Sequence, residues 1–310
     1  MPAEAAGAAP PGRDVDAGGV RLHVAELGTG RPTVLLHGGG PGCTAWTDFG
    51  AVASRLAAER RLILIDLAQY GRSEAPAITG PAAPYHAARV LGVLDALGVD
   101  RADFVCQSLG GAVAFALAAR HPERAGRLVV TGSQPAPSPC GIRSDTTLGP
   151  RARAAYYGGE GPTPDKMRKL IADLEWHDPS AVPEHTVLLR YEASVTPSAL
   201  ELAAEVTRRG APPDRVPPDR PTPADGVSPD QPTPADLPAA ATELSVVRSP
   251  VLLLWGEHDP FAGAAYAHSL AARLSRADVA VLGRTAHHPA EERPAAYAAL
   301  AIAHLDGNLP

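Results

Sequence analysis

The segment Asp103-Phe-Val-Cys-Gln-Ser-Leu-Gly-Gly111 constrains this chain more than any other stretch, because an apolar strand runs into one serine and then directly into a small-residue helix start. A chain that turns so sharply lifts the serine hydroxyl above the end of a parallel sheet, and the backbone N–H groups that follow point to where an oxyanion would form. Ser108 is therefore the candidate nucleophile. Cys106 stands at the first glycine position of the G-x-S-x-G pattern, while Gly110 and Gly111 keep the helix close to the strand. A buried serine in a plain strand-to-helix turn fits the same residues, so the rest of the chain has to decide.

A serine hydroxyl is a weak nucleophile. It needs a base to take its proton, and the base needs a carboxylate to hold its tautomer. Val251-Leu-Leu-Leu-Trp-Gly-Glu-His-Asp259 is an apolar strand ending in a turn, which delivers Asp259 to the carboxyl end of that strand. An aspartate there also fits a turn-capping role, and Glu257 lies close by. Farther on, Val279-Ala-Val-Leu282 leads to Gly283-Arg-Thr-Ala-His-His-Pro289, with His287 and His288 as candidate bases. His121 sits where a helix ends before proline, and His23, His86, His177 and His185 read as surface or packing residues.

A fourth component is Thr33-Val-Leu-Leu-His-Gly-Gly-Gly-Pro-Gly42, an apolar strand running into His37 and a glycine cluster. Glycines let backbone approach a ligand closely, so Gly39 or Gly40 supplies one oxyanion donor and Leu109 the other. A phosphate cradle is the rival for such a turn. It fails because the stretch has no G-x-G-x-x-G, no Gly-Lys-Ser/Thr and no nearby lysine.

With these residues in place the chain resembles the α/β-hydrolase superfamily over nearly its whole length. More narrowly, it is similar to the meta-cleavage product hydrolases, serine enzymes that hydrolyse a carbon–carbon bond in vinylogous 1,5-diketone acids formed by aromatic ring opening. The narrower likeness rests on His37-Gly-Gly-Gly-Pro-Gly42, Asp66-Leu-Ala-Gln-Tyr-Gly-Arg-Ser73, Ser108-Leu-Gly-Gly111 and Leu189-Arg-Tyr-Glu-Ala-Ser194. The resemblance implies a triad of Ser108, Asp259 and His287 in that chain order. It favours His287 over His288 because Glu292, Arg293 and Pro294 complete the pattern H-x-x-x-x-E-R-P from His287. It also implies that Arg190 binds a substrate carboxylate or dienolate, a role that suits the planar guanidinium fork. No metal and no organic cofactor is implied.

Three positions depart from that family's pattern. Gln107 stands where asparagine usually precedes the nucleophile, Asp48 replaces an asparagine two residues after Trp46, and His288 replaces a tryptophan after the catalytic histidine. Gln107, Asp48 and His288 therefore join Arg190 as expected substrate-binding residues of an altered pocket. A carboxylate at Asp48 opposes negative charge near an oxyanion hole unless it pairs with Arg190 or faces away. The substrate expected is a small organic molecule, cleaved at a carbon–carbon, ester or lactone bond. A hypothesis of another class keeps the scaffold but makes it a non-hydrolytic cyclase or a small-molecule-binding protein.

A length of 310 residues suits one globular enzyme with an inserted lid. A formal charge of -6, only short basic clusters and just two lysines, Lys166 and Lys169, argue against a nucleic-acid partner. Met1 to Arg13 has no apolar core of a leader, and no run of about 18 apolar residues occurs, so neither export nor membrane insertion is expected. Three cysteines, Cys43, Cys106 and Cys140, show no zinc or disulfide spacing and point to a reducing compartment, hence a cytoplasmic location. A homodimer is compatible with all of this.

Short apolar strands alternate with helical patterns, predicting a mostly parallel sheet covered on both faces. Strands are expected near Val20–Ala25, Thr33–Leu36, Leu62–Ile65, Asp103–Cys106, Leu128–Thr131, Val251–Trp255 and Val279–Leu282, with helices over Pro84–Leu97, Gly110–Ala119 and Pro294–Leu305. The α/β core is expected over 1–132 and 245–310, and a helical cap over 133–244. In the cap, Thr163-Pro164 starts a helix carrying Met167, Leu170, Ile171 and Leu174, and Pro183 and Pro197 open two more, the last ending near Gly210. Within 211–238, Pro218-Asp-Arg-Pro-Thr-Pro-Ala-Asp225 nearly recurs as Pro229-Asp-Gln-Pro-Thr-Pro-Ala-Asp236, a composition that predicts an exposed, extended or disordered loop.

Overall fold

Each central strand divides its side chains between two separate cores, and this division explains why the strand sequences are apolar without a break. The computed structural model describes residues 9–210 and 244–309, leaving aside the side chains of 205–210. The Pro-rich stretch 211–238 lies outside the described residues. The strands are β1 Gly12–Asp16, β2 Arg21–Leu27, β3 Arg31–Leu36, β4 Arg60–Ile65, β5 Ala102–Gln107, β6 Ala125–Thr131, β7 Val251–Gly256 and β8 Ala277–Leu282. They form one sheet in the order β1-β2-β4-β3-β5-β6-β7-β8. The pairs β1/β2 and β2/β4 are antiparallel and all others parallel.

Along β3, Val34 and Leu36 face one core and Leu35 the other; β5 splits likewise into Phe104 and Cys106 against Val105, and β6 into Leu128 and Val130 against Val129. The period of two along a strand imposes this alternation. One face is covered by α2 Ala82–Ala96, α3 Leu109–Arg120 and α8 Ala264–Ala271. The other is covered by α1 Ala45–Leu56 and α10 Pro294–Leu305, whose Phe49, Val52, Leu56, Tyr297, Ala301 and Leu305 pack on it. Trp255, Tyr266 and Tyr297 are fully enclosed, and each such side chain contributes about 2–3 kcal/mol of transfer free energy.

All seven expected strands form. The sequence reading omits β1, because Gly-Arg-Asp-Val-Asp carries a single buried apolar residue, Val15, and pairs only as an antiparallel edge. It also omits α1, α4 Leu148–Tyr157 and α8. The helical segment between β6 and β7 contains α4, α5 Pro164–Leu170, α6 Glu184–Ser194 and α7 Pro197–Gly210. It has its own cluster of buried residues, Tyr156, Met167, Leu170, Ile171, Trp176, Val182 and Val187. The helix expected through Leu174 departs from α geometry at Ile171–Glu175, where one π turn ends in a bond from Trp176 N–H to Ile171 O of 3.0 Å. Such turns occur often at functional sites. A short helix α9, Pro289–Glu292, precedes α10.

Candidate active site

Between the end of β5 and the start of α3, Ser108 alone makes the turn, at φ +46° and ψ −110°. A left-handed φ is strained for a residue with a Cβ and persists only where the surroundings enforce it. Here the Ser108 N–H donates to Thr131 O at 2.7 Å, and Ser108 O accepts from Gly111 N–H at 3.0 Å. The two glycines are required sterically: a Cβ on Gly110 would stand 2.1 Å from Leu36 O, and one on Gly111 would stand 2.6 Å from Ser133 Cβ. The helix start is therefore pressed between β3 and the end of β6.

Asp259 and His287 come from the loops after β7 and β8. His287 Nδ1 bonds Asp259 Oδ2 at 2.8 Å, with both side chains buried. Asp259 also does the capping work that its position suggests, since Oδ1 accepts from the N–H groups of Phe261 at 2.9 Å and Ala262 at 3.4 Å. One oxygen fixes the loop and the other holds the imidazole, leaving His287 Nε2 for a proton partner. Gly132 makes room for this pair, because a Cβ there would lie 2.5 Å from His287 Cε1. The carbonyl of His287 accepts from Gln107 Nε2 at 2.8 Å, and Glu292 Oε1 accepts from Ala286 N–H at 2.6 Å.

The glycine turn after β3 is held by His37. Leu67 N–H donates to His37 Nε2 at 2.9 Å, so Nδ1 carries the proton and donates to Gly38 O at 2.7 Å. A trans peptide puts N–H opposite C=O, so the Gly39 N–H points away from His37. The Gly39 carbonyl is held by Tyr70 Oη at 3.3 Å and by Arg153 Nη2. Tyr70 and Arg153 both line the cavity with Gly39 and Gly40. Leu109, the first residue of α3, has an N–H with no acceptor inside the helix.

Ser108, Leu109, Gly39, Gly40, His287 and His288 all line one cavity of about 510 Å³ between the strand ends and the helical segment. Arg190, Asp48 and Gln107 do not line it, and each is engaged by partners within the protein. Gln107 is consumed in bracing the His287 loop. Asp48, in the first turn of α1, accepts from Gly38 N–H at 2.8 Å, and its other oxygen is 4.0 Å from Arg190 Nη1. Arg190 is fully buried, donating to Glu175 Oε1 at 2.9 Å and to Pro41 O at 3.1 and 3.3 Å.

Asp48 and Arg190 belong to a buried charged cluster that reaches the cavity through Glu175 and His288. Burial alone would raise the carboxyls of Glu175 and Asp48, yet Arg190 and His288 outweigh it and hold both below the ordinary carboxylate range. Burial likewise works against the His288 imidazolium, but Glu175 and Glu291 lift it to about 9. His288 Nδ1 bonds Glu291 Oε2 at 2.8 Å, while its Nε2 lies 3.8 Å from Glu175 Oε2. Burial pushes Glu291 up. Among the described residues, no cluster of His, Cys, Asp and Glu is arranged to hold a metal ion, and no helix is long and apolar enough to cross a membrane.

Residues 33–300 match the model of the Alpha/beta hydrolase family. The chain belongs to that family. It is 32% identical, over 93% of its own length and 92% of the relative's, to 2-hydroxymuconate semialdehyde hydrolase of Pseudomonas sp. (strain CF600). It is 31% identical, over 86% and 85%, to 2-hydroxy-6-oxononadienedioate/2-hydroxy-6-oxononatrienedioate hydrolase of Burkholderia vietnamiensis. Among solved structures, 2-hydroxy-6-oxo-6-phenylhexa-2,4-dienoate hydrolase of Rhodococcus sp. strain RHA1 superposes with a TM-score of 0.75 at 24% identity, covering 96% of this chain and 98% of that one. That likeness shows the fold.

Glu175, Arg153 and Tyr70 also line the cavity of this hydrolase, and the sequence gives little sign of them. Glu175 is brought to the cavity by the π turn, and no local pattern distinguishes it from a solvent-facing helical glutamate. The one available signal was a carboxylate flanked by Leu174 and Trp176. Arg153 lies on α4, a helix whose sequence carries no strong apolar stripe.

Proposed function

We propose that this protein is a serine hydrolase of small carbonyl substrates in aromatic metabolism, with Ser108 as nucleophile, His287 as base and Asp259 as its orienting acid. The observation that carries the reading is the 2.8 Å bond between His287 Nδ1 and Asp259 Oδ2, with His287 and the strained Ser108 facing one cavity. Gly39 or Gly40, together with Leu109, supplies the oxyanion donors. Ser108 Oγ bonds to the substrate carbonyl carbon as its proton passes to His287 Nε2. Collapse of the tetrahedral species breaks the bond to the leaving group, which takes that proton. Water then adds to the acyl-enzyme through the same histidine, releasing the acid and restoring Ser108. The segment 133–244 acts as a helical cap over a core of 1–132 and 245–310, a division supported by its separate buried cluster. A cytoplasmic location accompanies this reading, supported by three cysteines that form no disulfide.

The relatives named above favour a carbon–carbon bond in a ring-opened diketone as the point of cleavage. For such a substrate a proton first converts the dienol to a ketone, so that the departing carbon leaves as a stabilised enolate and is then protonated. Cleavage of an ester or lactone is the second reading, favoured by Arg190 being occupied by Glu175 and Pro41. Incubation with a fluorophosphonate, followed by peptide mass spectrometry and a panel of dienone acids, aryl esters and lactones, tests both. The expected result is a label on Ser108 and turnover lost in Ser108→Ala. Turnover that survives Ser108→Ala overturns covalent hydrolysis in favour of a cyclase or binding scaffold.

A further inference from the structure

We infer that Arg153, on α4, is the cation that meets a carboxylate of the substrate, so that this hydrolase prefers an acid to its neutral counterpart. The inference rests on the proposed use of Ser108 and names a specificity residue for that cavity. Arg190 and Arg153 stand on different sides of the glycine turn and in different circumstances. Arg190 is fully buried behind Gly40, donates to Glu175 Oε1 at 2.9 Å and lies 4.0 Å from Asp48. Arg153 is half-buried and lines the cavity with Ser108 and His287. Its Nη2 donates to a neutral acceptor, the Gly39 carbonyl, which Tyr70 Oη also approaches at 3.3 Å. No carboxylate among the described residues pairs with Arg153.

The other charged side chains of the wall have their partners. Asp145 accepts from Thr147 N–H at 2.9 Å and pairs with Arg151 at 2.8 Å; Glu175 has Arg190, and His288 has Glu291 at 2.8 Å. The guanidinium of Arg153 carries five N–H donors in a planar fork, so the bond to Gly39 leaves donors free for a ligand, and a carboxylate fits such a fork. Leu170, Leu174, Leu202 and Phe261 share the wall, and beside apolar side chains a charge is screened less than in open water. Gly39 ties this cation to the reacting centre. A Cβ on Gly39 would lie 3.5 Å from Leu109 Cβ, so the glycine whose carbonyl Arg153 holds also touches the residue that follows Ser108. A carboxylate a few bonds away from the attacked carbonyl, in the acyl half or in the leaving group, therefore reaches Arg153.

The test uses the full-length protein at neutral pH and two series of esters. One holds monophenyl esters of straight-chain dicarboxylic acids of increasing length, with the acid in the acyl half; the other holds acetates of hydroxyphenylalkanoic acids, with the acid in the leaving group. Each acid is compared with its primary amide. In one series the wild type is expected to favour the acid in kcat/KM by about tenfold or more at the best length, and that series shows which half Arg153 reads. Arg153→Gln is expected to bring the ratio of acid to amide close to one, and Arg153→Lys to keep part of it. A wild type without preference for the acid in either series overturns the inference, and so does a preference that persists in Arg153→Gln. Acid and amide falling by the same factor in Arg153→Gln also overturns it, since the guanidinium then serves only the Gly39 carbonyl. Calorimetric binding of the corresponding methyl ketones, acid and amide, to Ser108→Ala with and without Arg153→Gln reads the same ratio without turnover. If Ser108 takes no label and no ester is cleaved, the hydrolase reading fails while the ketones still decide the role of Arg153.

Discussion

The near side of the cavity and the layer behind it are built by opposite means. Around Ser108, the chemistry is set by backbone: a strained turn, glycines that let strands and helix touch, and peptide groups aimed by His37 and Thr131. In the charged layer, which reaches the cavity through Glu175 and His288, five buried ionisable side chains, Asp48, Glu175, Arg190, His288 and Glu291, are drawn from four separate parts of the chain and neutralise one another. The first arrangement is fixed by secondary structure and tolerates little change. The second is a balance of charges, in which altering one member leaves its partners unpaired.

The largest expected effects separate the two regions by readout. Ser108→Ala should lower kcat by about 10⁴-fold or more with no loss of thermal stability, and Asp259→Asn should approach it by favouring the wrong tautomer of His287; steady-state kinetics with thermal melting checks both. Arg190→Leu should do the reverse, costing on the order of 3–5 kcal/mol of stability because Glu175 and Asp48 lose their shared cation. Chemical denaturation measures that loss, and a variant as stable as the wild type would remove the contrast between the regions.

A smaller effect is expected from pH. The folded-state value of His288 is raised to about 9, above the ordinary value of 6.5, so its contribution to stability is complete below 6.5 and is lost as pH rises through about 9. The loss amounts to on the order of 3 kcal/mol at most. Denaturant midpoints between those limits should fall with rising pH in the wild type and flatten in His288→Gln. The smallest effect is Gln107→Leu, which removes the brace to the His287 carbonyl and should cost about 1–2 kcal/mol of stability. Because Gln107 lies outside the cavity, KM should change less than kcat.

The parts of the site that lie at strand ends were legible as sequence. Ser108, Asp259 and His287 each follow a short apolar run, and in a parallel sheet every such run delivers its next residue to the same edge. The seven parallel-sheet and hairpin strands were legible for the same reason, while β1 was not, having one buried apolar residue to signal it. The partners of Asp48, Gln107 and Arg190 were not legible in the same way, apart from the pairing of Asp48 with Arg190. Polar side chains in buried positions settle on whichever partners the packing brings near, and Gly38, the His287 carbonyl and Glu175 are remote from them in sequence.

By itself the amino-acid order determined the sheet, the turn that strains Ser108 and the succession of Ser108, Asp259 and His287 at strand ends, since each follows from local pattern and steric demand. Only the tertiary structure decided that Arg190 is occupied and that a π turn carries Glu175 to the cavity. The physical reason is range: backbone geometry is set by neighbours within a few residues, whereas the pairing of buried charges depends on which distant side chains share one low-dielectric space.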